Sequence, residues 1–293
     1  MNGHLEVAKY LHAQDFTGRN HKTLEWAARR GDLVAVQWLW AQLNADPKAD
    51  SLCVHGEDQF VSWASPLTKA MAAAASNGHL EIVQYLHTIA LTLAGKKRKR
   101  DESSCYPCKL EMDNVVTEAA RSGHLGAVQW VCTHTTVNST KEAMASAAGS
   151  GHFPAVKWLH ENLPHEDFRT AVTDAAAGCG DLSLLKWLHT NRPNERWSTI
   201  AIYSAARGGH LHVLRWLFGH ESLYNHDCLV PSNALKLALI GNQFDALIFV
   251  YHEYKNWSYD IIVLEDDDIY VFDEHMREWI IDIDNLRESS ESD

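Results

Sequence analysis

One phrase recurs along the chain, and its spacing limits the folds open to it. Residues 205–220 read AARGGHLHVLRWLFGH, residues 147–162 read AAGSGHFPAVKWLHEN, and residues 73–88 read AAASNGHLEIVQYLHT. Aligned glycines fall at Gly3, Gly31, Gly78, Gly123, Gly151, Gly180 and Gly209, with Asn242 in an eighth place. The intervals are 28, 47, 45, 28, 29, 29 and 33 residues. Five are close to one period of about 30, the size of a helix-pair repeat. The two long ones hold that period plus roughly 17 residues of insertion each. Self-similarity at such a period marks a stack of supersecondary units, none of which buries its apolar face alone.

The columns of the alignment say what each unit is. Four residues before the turn stands alanine, at Ala27, Ala74, Ala119, Ala147, Ala176, Ala205 and Ala238; the next position is alanine six times and Leu239 once. Two small side chains on one helical turn let a neighbouring backbone approach closely. The glycine then ends this first helix, because a positive φ is cheap for glycine, and asparagine is the next most tolerant residue there. After the turn, Leu211, Val213, Leu214, Trp216 and Leu217 follow at helical and not strand spacing, as do Phe153, Ala155, Val156, Trp158 and Leu159. The aromatic column of this second helix is Tyr10, Trp38, Tyr85, Trp130, Trp158, Trp187, Trp216 and Phe249. Its place on the apolar stripe predicts that the rings fill the seams between layers rather than offer a stacking platform.

The strings GHLEVAKYLH at 3–12 and GHLEIVQYLH at 78–87 resemble the second helix of the ankyrin repeat, and AAxxGH resembles its helix-turn-helix junction. The likeness runs over roughly residues 2–254, in a divergent, tryptophan-rich form. The family's Thr-Pro-Leu-His opening is absent, KTLEWAARRG at 22–31 being the nearest approach. The fold this implies is all-α: an ankyrin-like helix-turn-helix solenoid of about seven to eight repeats, with two loop insertions and a C-terminal helical cap. The array is expected over 1–257, the insertions at about 43–65 and 89–112, and an acidic cap and tail over 258–293. In that family a protein partner meets the inner face, where the two residues before each turn glycine are exposed. By position these are Arg29 and Arg30, Ser76 and Asn77, Arg121 and Ser122, Gly149 and Ser150, Gly178 and Cys179, and Arg207 and Gly208. Four arginines recur there and no acid does. Arginine holds carboxylates and phosphates bidentately, so an acidic or phosphorylated protein partner is expected.

The 18 histidines invite thoughts of metal or proton chemistry, but they sit in columns. His4, His79, His124, His152 and His210 follow the turn glycine, sharing their column with Asp32 and Asp181, and are expected to cap the second helix. His12, His87, His160 and His189 are expected to close it, where the helix dipole favours a cation. No G-x-S-x-G, G-x-x-x-x-G-K-[ST] or H-E-x-x-H string occurs. The expectation is therefore a non-enzymatic chain with no cofactor and no small-molecule substrate. An enzymatic role survives only through a catalytic domain in a longer parent, and the start at Asn2-Gly3, already at a turn, makes a fragment the expectation.

Four further features complete the reading. The net charge of −12 is concentrated at one end: residues 258–293 hold 13 acids with only Arg277 and Arg287, a balance of −11, against −1 for the rest. Within that end Met276, Trp279, Ile280, Ile283 and Leu286 share one helical face. This suits a cap on the last repeat or, alternatively, a strip that competes with partners. The segment GKKRKRDESS at 95–104 places five bases in a row, Lys96, Lys97, Arg98, Lys99 and Arg100. It is read as an exposed loop serving nuclear import, with a nucleic-acid contact as the weaker alternative and a merely solvated loop as the plain one. Cys105-x-x-Cys108 in that insertion and Cys53 with His55 in the other form a conceivable zinc clip, against free thiols on two loops. No run of 18 apolar residues and no secretory leader is visible, and six cysteines are few. An intracellular location, cytoplasm or nucleus, and no membrane partner are expected.

Overall fold

The computed structural model describes residues 21–45, 64–98, 112–137, 139–163, 170–191, 197–220, 230–254 and 282. Among them are fourteen helices and no strand. The chain divides into two compact units, Met1–Ala147 with His152–Glu166, and Ala148–Gly151 with Asp167–Asp293. The first holds α1 (His21–Arg30), α2 (Leu33–Ala45), α3 (Ala64–Ala75), α4 (Leu80–Arg98), α5 (Met112–Arg121), α6 (Leu125–His134), all but the last two residues of α7 (Lys141–Gly149), and α8 (Phe153–Asn162). The second holds α9 (Ala171–Cys179), α10 (Leu182–Asn191), α11 (Thr199–Arg207), α12 (Leu211–Phe218), α13 (Val230–Ile240) and α14 (Phe244–Tyr254).

The recurring phrase is the hairpin between the two helices of a pair. In each pair with a turn glycine, the amides of the glycine and of the residue after it donate back across the turn to the two alanines. Gly78 N–H reaches the Ala75 carbonyl at 3.2 Å and His79 N–H reaches the Ala74 carbonyl at 2.9 Å. The same bonds recur at Gly180 and Asp181 on Ala177 and Ala176. This is the Schellman termination, which satisfies the last carbonyls of a helix and needs a left-handed residue. The turn glycines have φ of 71 to 81°, and Asn242, in the eighth place, has φ 55°. The alanines beside them are buried, Ala74, Ala75, Ala119, Ala120, Ala176, Ala177, Ala205 and Ala206 all at 0 % exposure.

Each unit is a run of such pairs in two rows. In the first, α1, α3 and α5 lie side by side, and α2, α4, α6 and α8 form the row behind them. In the second, the rows are α9, α11, α13 and α10, α12, α14. The seams of the second-helix rows are filled by aliphatic residues, Leu86, Leu159, Leu188 and Leu217 among them, each at most 1 % exposed. This corrects the expectation for the aromatic column. Trp38, Tyr85, Trp130, Trp158, Trp187, Trp216 and Phe249 are all half-buried. Each stands one residue, and so about 100° of helical rotation, before the central aliphatic position. The rings therefore line the rim of the core. Tyr10 lies outside the described residues.

The second insertion also begins later than expected. Helix α4 runs for 19 residues to Arg98, well past residue 89. Ile89 and Ala90 are still buried, which carries the helix on. Lys96, Lys97 and Arg98 then end it. Lysine and arginine are good helix formers, so the sequence of the basic run does not itself stop a helix. The first insertion is bounded by the end of α2 at Ala45 and the start of α3 at Ala64. No helix among the described residues is long and apolar enough to cross a membrane.

Candidate functional site

The residues before the turn close the first helices, and their exposure follows from where the helix points them. Arg29, Arg30, Asn77, Arg121 and Arg207 are exposed, while Ser76 and Ser122 are half-buried. In the first unit α1, α3 and α5 are neighbours, so Arg29 with Arg30, Ser76 with Asn77, and Arg121 with Ser122 form one row at their ends. Ser76 Oγ and Asn77 Nδ2 both donate to the Ala73 carbonyl, at 3.0 and 2.9 Å, which ties them to helix termination. The acids one turn back escaped the column reading. Glu25 takes Arg29 Nη2 at 3.4 Å, and Glu118 takes the Arg121 guanidinium and holds its proton more firmly than usual. Exposed pairs of this kind are weak and screened by solvent, so a better anion displaces them. Trp26, on α1 between Lys22 and Arg30, is 65 % exposed.

The second unit presents a different surface on its first helices. A groove of about 700 Å³ is lined by Gly149, Ala171, Asp174, Ala175, Gly178, Ile200, Ser204, Arg207 and Gly208. Its floor is built of small residues. Asp174 is 6 % exposed and accepts from Ser198 N–H at 2.9 Å and Ser198 Oγ–H at 2.6 Å. Ser198 in turn caps α11 by accepting from Ile200 N–H at 3.1 Å. Burial pushes the Asp174 carboxyl above its ordinary value, and the bonds from Ser198 pull against that. This bond between successive pairs, 24 residues apart, was not legible in the repeat columns. The signal that would have pointed to it is a lone acid on the apolar face of a first helix.

The histidine column does something other than what its position suggested. Asp32 and Asp181 do cap, accepting from Ala35 N–H and Leu184 N–H at 2.9 Å each. His124, His152 and His210 make no capping bond to their own helices. They reach back instead. His79 Nε2–H donates to the Arg29 carbonyl at 3.2 Å, and His210 Nε2–H to the Gly178 carbonyl at 3.0 Å. Each ring lies over the turn glycine of the preceding pair: a Cβ on Gly31 would meet the His79 ring at 2.5 Å, and one on Gly180 the His210 ring at 2.6 Å. His124 over Gly78 and His152 over Gly123 repeat the contact. Where the column holds Asp181, the preceding Gly151 meets Cys179 Sγ instead. An imidazole is long enough to span to the previous turn, and a carboxylate is not.

The closing column is displaced too. His134, Asn162, Asn191 and His220, two residues beyond the expected position, donate to the carbonyls of Trp130, Trp158, Trp187 and Trp216 at 3.0, 2.9, 2.8 and 2.8 Å. His87 and His189 stand edge-on to the next pair's indole, 5.4 Å from Trp130 and 5.7 Å from Trp216. Burial and, secondarily, nearby His134 push the His87 imidazolium toward deprotonation. Trp197, 3 % exposed, packs on Trp216 at 5.4 Å.

No group of three or more metal-ligating side chains converges among the described residues. Cys53, His55, Cys105 and Cys108 lie outside them, as do Lys99, Arg100 and the segment 258–293 apart from Asp282. No protein-family model matches the chain, and no curated protein matches it either.

Proposed function

We propose that this chain is a non-enzymatic scaffold that binds a protein partner, one rich in carboxylate or phosphate, through the ends of its first helices. The observation that carries the reading is the row Arg29, Arg30 and Arg121 on the first unit. These are exposed guanidinium groups at the ends of α1 and α5, the two helices that flank α3, and the acids that pair with them are on the surface too. Rigid helix ends preorganise a bidentate donor at little entropic cost. Trp26 beside them supplies the large apolar anchor that interfaces favour. The likeness of the repeat phrase to the ankyrin family supports the same face.

The test is a peptide array of acidic, phosphorylated, neutral and basic sequences probed with the labelled full chain. Acidic and phosphorylated spots should bind, and Arg29→Glu with Arg30→Glu, Arg121→Glu and Arg207→Glu should erase the signal. Equal binding to neutral and acidic spots, or an unchanged pattern in the charge-reversed chain, overturns the reading. A second reading, a nuclear regulatory protein carried in by Lys96–Arg100, draws on the five consecutive cations.

A further inference from the structure

Helix α1 carries a stripe that no other described first helix repeats. Lys22, Trp26 and Arg30 stand four residues apart and so share one face, with Arg29 beside the last. All four are exposed. Trp26 takes the fifth place before its turn residue, where the other first helices hold Ala73, Glu118, Ser146, Ala175, Ser204 and Leu237. The neighbouring α3 extends the pattern. Lys69 stands nine residues before Gly78, as Lys22 stands nine before Gly31. The two helices pack together and their turns meet through the His79 ring over Gly31, so the lysines are level. Ala73, level with Trp26, is too small to cover the indole, which stays 65 % exposed. Lys22, Arg30 and Lys69 make no ion pair among the described residues. Together α1 and α3 set Lys22, Arg29, Arg30 and Lys69 against Glu25 alone, in a chain of net charge −12.

Two cationic ends thus enclose an exposed ring. The rise from Lys22 to Arg29 and Arg30 is about 10–12 Å at 1.5 Å per residue. A ligand that fits is acidic at both ends and apolar between them. We propose that this stripe reads an extended segment of the partner in which an apolar residue has a carboxylate two places away on either side. Side chains two apart on an extended chain share a face and repeat at about 6.6 Å, against about 6 Å for helical residues four apart. The central residue lies on Trp26, one acid meets Lys22 and Lys69, and the other meets Arg29 and Arg30. Acids four places apart repel one another on a helix, which keeps such a segment extended. Glu25 yields, because its exposed pair with Arg29 is screened by solvent. The inference rests on the acidic-partner reading and adds to it an order of residues and two lysines.

The experiment measures fluorescence anisotropy of labelled peptides with the full chain at low ionic strength. The probes are GGEGFGEGG, its isomer GGEEGGFGG and the neutral GGQGFGQGG. The ordered peptide should bind about tenfold more tightly than its isomer, the size of effect one buried aromatic anchor gives. The neutral peptide should not bind. Trp26→Ala should abolish the preference between the isomers, and Lys22→Glu with Lys69→Glu should weaken the ordered peptide by about tenfold. All three positions are exposed, so the helices tolerate these changes. Equal binding of the two acidic isomers, or an ordered peptide indifferent to Trp26→Ala, overturns the inference. If the neutral peptide then stays unbound, the acidic-partner reading stands. Neutral and acidic peptides bound alike, or none bound, overturns that reading and this inference with it.

Discussion

At the scale of single residues, the turn glycine answers to two demands at once. Gly180 sits at φ 81°, and the His210 ring occupies the space a Cβ would take. Gly180→Ala should cost about 1–2 kcal/mol for the backbone alone, with a further loss from displacing the ring. His210→Ala in the same chain should recover the second part, so a double-mutant cycle by urea denaturation should show coupling of about 0.5–3 kcal/mol. Strict additivity would mean that ring and turn do not touch. Asp174 gives a pH signature. Its folded-state carboxyl is raised above 3.8, so the folded form holds its proton more tightly than the unfolded one. The stability it contributes is full below pH 3.8 and lost as pH rises through the shifted value. Relative to the wild type, Asp174→Asn should gain stability as pH climbs through that window, read from denaturation midpoints at successive pH values. A flat difference would refute the shift.

Among elements, the seams decide which side chains matter. Leu217 is 1 % exposed and its neighbour Trp216 is half-buried on the rim. Leu217→Ala should cost about 2–5 kcal/mol by opening an enclosed cavity. Trp216→Ala should cost less despite the larger side chain, because water refills an open rim. The opposite order in chemical denaturation would return the rings to the core. The helix pairs themselves were legible in the sequence, since Ala-Ala and Gly state the close approach and the left-handed stop in local code. The direction of the histidines was not, because a column aligns residues within a repeat and says nothing of which neighbour a ring reaches. The rim position of the indoles needed the rotation between adjacent helical places, which a count of apolar positions blurs. The extent of α4 was not legible, because consecutive cations suggest an exposed loop although lysine and arginine are good helix formers.

For the whole molecule, charge is arranged by region. The body is near neutral, the basic run is confined to Lys96–Arg100, and the acid gathers after residue 257. Helix α4 carries the first three of those bases as its final turn. If the run acts in import, a fluorescent fusion should move from nucleus to cytoplasm when Lys96, Lys97, Arg98, Lys99 and Arg100 are all changed to alanine. An unchanged distribution would remove that reading. The candidate face was legible as a set of positions. Its division into a guanidinium row on one unit and a small-floored groove on the other was not, since Ile200 and Asp174 belong to no recurring phrase.

The reach of His79 and His210 to carbonyls made earlier in the chain also has a direction in time. A ribosome releases the older hairpin first, so each emerging imidazole finds its acceptor already in place. Within each unit, assembly and translation can therefore run the same way, with every finished hairpin serving as the template for its successor.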